Sequence, residues 1–219
     1  MLRGAIFDFD GTLFDSMYVW DGSSVKYLRS IGIEPDPDTD RQVGRMSLLQ
    51  AAQYFRERYS LPHTAEEIMQ GINRTVEELY FYKVQPKDGV IEFLRGLRSQ
   101  GVRMCIATAT DRYQIEAALV RCGMDGFFSE IFTCSEVGHG KDEPDIFRRA
   151  CEHMGTPKPE TAVFEDAAHA AMTAKADGFP VVAVYDPSEK KQEELRRAAD
   201  HFITSFKDTE RFRRFARGL

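Results

Sequence analysis

The residues best suited to chemistry are four carboxylates at the ends of two short apolar runs. Phe7-Asp8-Phe9-Asp10-Gly11-Thr12-Leu13 closes the first run of the chain, and Ala162-Val163-Phe164-Glu165-Asp166 closes a later one. On an extended strand, residues two apart share a face, so Asp8 and Asp10 are expected to face one pocket. Gly11 permits the tight turn that releases the chain. Taken alone, Asp10-Gly11 reads as an ordinary acidic turn. Were the four acids to converge, each would resist ionising unless a cation neutralised the cluster. All-oxygen ligation with few protein groups suits Mg²⁺ better than zinc, which prefers His and Cys. His169 lies four residues after Glu165, but a solvated or capping histidine is the simpler account and it is left outside the expected site.

A third apolar run ends in Ile106-Ala107-Thr108-Ala109-Thr110, and Lys141 sits in Gly138-His139-Gly140-Lys141-Asp142-Glu143-Pro144. At a strand-to-helix turn, the Thr108 hydroxyl with the neighbouring Ala109 backbone can hold phosphoryl oxygens, and a lysine supplies the point charge a phosphate needs. Each is a weak signal by itself, since strand-end threonines usually cap and loop lysines are usually solvated. Gly138 to Lys141 is not a nucleotide-binding loop: Asp142 stands where that motif requires Ser or Thr, and its earlier glycine is missing.

Positioning these groups falls to apolar runs at Ala5 to Phe9, Val102 to Ala107, Ile131 to Cys134, Ala162 to Phe164, Val181 to Tyr185 and Phe202 to Ile203, all read as buried strands. Helix-period segments lie between them: Val90 to Arg98, Tyr113 to Arg121, Asp145 to Met154, Ala167 to Ala176 and Glu189 to Ala199, several closed by glycine. Strand and helix alternate, and the strands are continuously apolar, which predicts an α/β fold: a doubly wound, mostly parallel sheet covered on both faces. Ligands of such sheets bind outside the carboxyl ends of the strands, where the four acids fall. Residues 16–84 differ in texture. Helical stretches Tyr18 to Ile31, Ser47 to Tyr59 and Ala65 to Phe81 follow one another with no strand between, so residues 16–84 are expected to form a small all-helical insert in a core made of 1–15 and 85–219. The two crossings, Leu13 to Asp15 and Val84 to Asp88, could serve as hinges.

Composition narrows the function classes. The 219 residues are 42% hydrophobic and carry a formal charge of −6, which argues against nucleic acid or an anionic membrane as partner. The four cysteines, at 105, 122, 134 and 151, include no CxxC pair, so no disulfide framework is expected. The first apolar run is too short for a signal segment and no stretch approaches a membrane span. A reducing cytoplasm is the expected compartment, and a monomer or weak dimer the expected assembly.

Taken in order, Asp8-Phe9-Asp10-Gly11-Thr12-Leu13, Thr108, Lys141 and Glu165-Asp166 resemble the four signature motifs of the haloacid dehalogenase superfamily. The segment Lys141-Asp142-Glu143-Pro144-Asp145-Ile146-Phe147 is similar to that family's Lys-Pro-x-Pro-Asp-x-Phe, and the insert after the first motif resembles the helical cap of its β-phosphoglucomutase-like branch. The resemblance implies a Rossmann-like core and a Mg²⁺-dependent phosphatase acting on a small phosphorylated metabolite such as a sugar phosphate. It implies that Asp8 is the nucleophile and becomes an aspartyl-phosphate, with Asp10 as general acid and base. Mg²⁺ would be held by the Asp8 carboxylate, the Asp10 backbone carbonyl, Asp166 and Glu165, while Thr108, Ala109 and Lys141 hold the phosphoryl group.

Three departures from the family pattern stand out. Ala167-Ala168-His169-Ala170 follows the second acid pair where many relatives carry Ser first and Gly last, Asp142 replaces a proline, and Trp20 occupies the place of a histidine found in the sugar mutases. The last counts against a phosphomutase, which is the alternative reading. A non-enzymatic phosphate-sensing module is a further one, disfavoured because a protein that keeps its phosphate has no use for an acid/base group at Asp10. The same Asp10 disfavours dehalogenation, which needs no acid for an alkoxide. Arg45 and Ser47, with Arg41 and Lys83, are the insert residues expected to meet the rest of the substrate.

Overall fold

A computed structural model of the chain describes residues 1–43, 46 and 48–219. Arg45 and Ser47 lie outside the described residues. In chain order the strands are β1 (Gly4–Phe7), β2 (Phe14–Asp15), β3 (Gln85–Pro86), β4 (Arg103–Thr108), β5 (Ile131–Thr133), β6 (Thr161–Glu165), β7 (Val181–Val184) and β8 (His201–Ile203). The helices are α1 (Ser23–Ser30), α2 (Thr39–Val43), α3 (Leu48–Arg58), α4 (Ala65–Tyr82), α5 (Val90–Ser99), α6 (Arg112–Arg121), α7 (Cys134–Val137), α8 (Asp145–Met154), α9 (Ala168–Ala176), α10 (Gln192–Ala198) and α11 (Thr209–Gly218). They fall into two units, Met1–Ser16 with Val84–Leu219, and Met17–Lys83.

The first unit is an α/β core, a six-stranded parallel sheet in the order β5-β4-β1-β6-β7-β8. The middles of its inner strands, such as Ala162–Phe164 and Val181–Val184, are apolar because both faces are covered. On one face Ile6, Cys105, Val163 and Ala183 pack with Phe147 of α8, Ala171 of α9 and Leu195 of α10. On the other, Phe7 stacks on Phe164 at 4.2 Å between ring centroids, and Phe93 of α5 meets Phe164, Phe206 and Phe212. Aromatic rings packed edge-on or offset in this way contribute beyond the area they bury. β1 lies between β4 and β6, with Phe7 opposite both Ile106 and Phe164. The parallel register therefore brings the carboxyl ends of three strands to one edge of the sheet.

The second unit is helical. Tyr27 and Leu28 of α1, Ala52 and Phe55 of α3, and Ile68 and Ile72 of α4 form its core. α4 begins with a capping box in which Thr64 accepts from the Glu67 N–H and the Glu67 carboxylate accepts from the Thr64 N–H. Gly71 sits against the Tyr27 ring, which a methyl group would meet at 2.1 Å.

Several elements differ from the expectation drawn from periodicity. The helix expected over Tyr18 to Ile31 is divided: Met17–Trp20 is a short 3-10 turn, and Gly22, at φ 70°, precedes α1. α2, Thr39–Val43, lies between the expected helical stretches Tyr18 to Ile31 and Ser47 to Tyr59, where no helix is expected. The helix expected from Glu189 begins only at Gln192, because the Glu189 carboxylate is engaged by backbone N–H groups at Ala168 and Lys191. The β2–β3 ribbon pairs Phe14 with Pro86 and Asp15 with Gln85, and two residues per strand are too few to show an alternation. All four cysteines are free, and no helix among the described residues is long and apolar enough to cross a membrane.

Candidate active site

Asp8 follows the last residue of β1, and its N–H donates to the Phe164 carbonyl at 3.0 Å, continuing the ladder one step past the strand. Glu165 is the last residue of β6 and Asp166 the next, so register alone sets these carboxylates beside Asp8. One oxygen from each of Asp8, Glu165 and Asp166 lies within 4.8 Å of the others, and all three residues are buried. Lys141, carried by the segment between α7 and α8, is 7% exposed. Its ammonium donates to Asp8 Oδ1 and, at 2.6 Å, to Glu165 Oε1. The Thr12 hydroxyl donates to Asp166 Oδ1 at 3.1 Å.

The electrostatics follow from three buried acids around one ammonium. Burial pushes the Glu165 carboxyl up to about 7, against the pull of Lys141 and with the Asp8 charge adding to the rise. Asp166 is held well above the ordinary aspartate range, by burial first and then by Asp8 and Glu165. Burial acts to lower the Lys141 pKa, but the Asp8 and Glu165 carboxylates outweigh it, and Lys141 stays charged above the usual lysine range. One ammonium among three carboxylates leaves the cluster short of positive charge. Glu165 Oε2 is buried with no hydrogen-bond partner among the described residues. An orphaned carboxylate oxygen costs free energy unless a cation or water meets it. This all-oxygen set fits a hard divalent ion such as Mg²⁺.

Asp10 stands differently. Its carboxylate accepts from the Ser16 hydroxyl on Oδ1 and from the Thr110 hydroxyl on Oδ2, both at 2.6 Å, and it is not one of the three converging acids. β1 has ended by Phe7 and the chain turns at Gly11, with φ 75°. Thr108 ends β4, and its hydroxyl accepts from the Thr110 N–H at 3.1 Å. Ala109, the next residue, leads away from the strand. Thr12, Ser16 and Thr110 were absent from the sequence-derived set. Thr12 and Thr110 both lie inside segments singled out in the sequence, Asp8 to Leu13 and Ile106 to Thr110, which was the signal available for them.

Nearby nucleophiles and ligands of other kinds are unsuited to the chemistry. Burial pushes the Cys134 thiol up to about 11, where little thiolate exists near neutral pH. Burial also lowers the His169 pKa, with the Lys141 charge acting the same way, and His169 is not part of the acid cluster.

Comparisons with known proteins agree with this geometry. The chain is 30% identical over 207 residues to a bifunctional riboflavin kinase/FMN phosphatase of Arabidopsis thaliana, a match covering 93% of this chain and 53% of that one. The chain thus spans about half the length of that relative. It is 30% identical over 188 residues to a probable pseudouridine-5'-phosphatase of Drosophila melanogaster, covering 83% of this chain and 81% of that one. The crystal structure of CbbY from Rhodobacter sphaeroides in complex with phosphate superposes with a TM-score of 0.83 at 20% identity, over 96% of this chain and 97% of that one. The model of the haloacid dehalogenase-like hydrolase family matches residues 5–184. Spanning most of the chain and all four motifs, that match establishes that the protein belongs to the haloacid dehalogenase-like hydrolases.

Proposed function

We propose that this chain is a phosphatase that hydrolyses a small phosphate monoester through an aspartyl-phosphate on Asp8, with the helical segment 16–84 as a cap on the catalytic core 1–15 and 85–219. The observation that carries the reading is the convergence of buried Asp8, Glu165 and Asp166, with the Lys141 ammonium paired to Asp8 and Glu165. In this reading an Asp8 oxygen attacks phosphorus in line, the ester bond breaks, and the leaving alkoxide takes a proton from Asp10. Asp10 then removes a proton from the water that attacks the acyl phosphate and releases inorganic phosphate. Lys141 neutralises Asp8 enough for two anions to meet, while the Thr108 hydroxyl and Ala109 N–H receive phosphoryl oxygens. The Asp8, Glu165 and Asp166 carboxylates and the Asp10 carbonyl would hold Mg²⁺, whose chemistry is to neutralise charge gathering on the phosphoryl group. Names of relatives support the substrate class, since they include phosphatases for FMN, pseudouridine 5'-phosphate and hexitol phosphates.

The test is phosphate release from a panel of phosphorylated metabolites, with Mg²⁺ or with EDTA, by the parent and by Asp8→Asn. Parent activity should require Mg²⁺, and Asp8→Asn should lose roughly 10⁴ to 10⁶ in rate, as other enzymes do on losing a nucleophile. Activity surviving in Asp8→Asn would refute the mechanism.

A further inference from the structure

α9 begins two residues after Asp166, and its N-cap position is Ala167, which has no side chain able to accept a hydrogen bond. The first N–H groups of a helix have no partner within the helix and are normally met by a Ser, Thr, Asp or Asn at the cap. Here the acceptor comes from elsewhere. Glu189, 21 residues onward in the segment between β7 and α10, places Oε2 at 2.8 Å from the Ala168 N–H. Ala168 is 1% exposed, so water cannot easily replace that acceptor.

The segment carrying Glu189 is itself braced. Glu189 Oε1 accepts from the Lys191 N–H at 2.6 Å, and the Gln192 carboxamide donates to the Asp186 and Glu189 carbonyls. Asp186, 2% exposed, is paired with Lys87 at 2.9 Å, and Lys87 also donates to the Tyr185 carbonyl. Asp166 is therefore held on two sides, by the Thr12 hydroxyl on its side chain and by the braced Glu189 on the helix start that follows it.

We propose that Glu189 is a positioning residue for the acid cluster: its carboxylate meets the buried first N–H of α9, at Ala168, and so fixes Asp166 for the cation. The inference rests on the metal reading above and is tested apart from activity. Calorimetric titration of the full chain with Mg²⁺ should show E189A binding about tenfold more weakly, the loss usual when a group orienting a metal ligand is removed. E189Q keeps one of the two acceptor oxygens, enough for the buried Ala168 N–H while the exposed Lys191 N–H turns to water, and should stay within about threefold of the parent. E189A/A167S offers a hydroxyl to the His169 or Ala170 N–H but leaves the Ala168 N–H unmet, so it should bind Mg²⁺ as weakly as E189A. In EDTA, amide exchange at Ala168 should be about tenfold faster in E189A than in the parent.

Unchanged Mg²⁺ affinity in E189A would overturn the proposal. So would an E189Q as weak as E189A. If E189A does not fold, E189Q decides, being expected to fold and to bind within about threefold of the parent. A parent that binds no Mg²⁺ would sink the metal reading instead, and Ala168 exchange in EDTA would still decide whether Glu189 holds the helix start.

Discussion

Removing the cation should make the stability of the protein depend on pH in an unusual direction. Glu165 is buried and its carboxyl is raised from 4.5 to about 7. A group whose folded-state pKa lies above its unfolded value binds its proton more tightly when folded. Its contribution is therefore full below the unfolded pKa and is lost as pH rises through the folded one. The whole shift corresponds to about 3 kcal/mol, most of which disappears between pH 5 and pH 8. Asp166, also raised, acts in the same sense. Lys141 remains charged across this range and contributes no slope.

The perturbation is Glu165→Gln, and the assay is calorimetric melting in EDTA at pH 5 and pH 8. In the parent, the melting temperature at pH 8 should fall relative to the variant by roughly 5–10 °C more than at pH 5, the conversion appropriate to a chain of this size. Mg²⁺ should remove most of that difference, because an ion at the cluster favours the ionised acids. Equal pH dependence in the parent and Glu165→Gln, both in EDTA, would refute the claim that burial of Glu165 governs the cluster.

Two further outcomes follow from the same geometry. Lys141→Met leaves Asp8 and Glu165 buried without their ammonium, so the metal-free chain should lose about 3–5 kcal/mol at pH 8 in denaturant titration, with a smaller loss at pH 5 where protonation relieves the acids. Thr110→Val removes the hydroxyl donor from Asp10 Oδ2, and steady-state phosphate release should show kcat lowered about tenfold with KM little changed, part of the usual worth of a placed acid/base group. A kcat within twofold of the parent would mean that Thr110 does not position Asp10.

The amino-acid sequence by itself determined the parallel α/β core, because strands buried on both faces must be apolar throughout and Val181–Val184 or Ala162–Phe164 can be nothing else. It also pointed to four acids at strand ends, of which a parallel register brings Asp8, Glu165 and Asp166 to one edge. Lys141 was identified by its segment, but its partners were decided by a fold that crosses 133 residues to Asp8 and 24 to Glu165. Only the tertiary structure decided that the Asp10 carboxylate meets the Ser16 and Thr110 hydroxyls, since the fold brings Thr110 to it across 100 residues. Likewise, the lack of a hydroxyl at Ala167 was visible in sequence, whereas the acceptor that Glu189 brings to the Ala168 N–H was not. Hydrogen bonds between segments distant along the chain leave no periodic trace, since any exposed-looking carboxylate could have served and the packing of β7 and α9 selects the one that does.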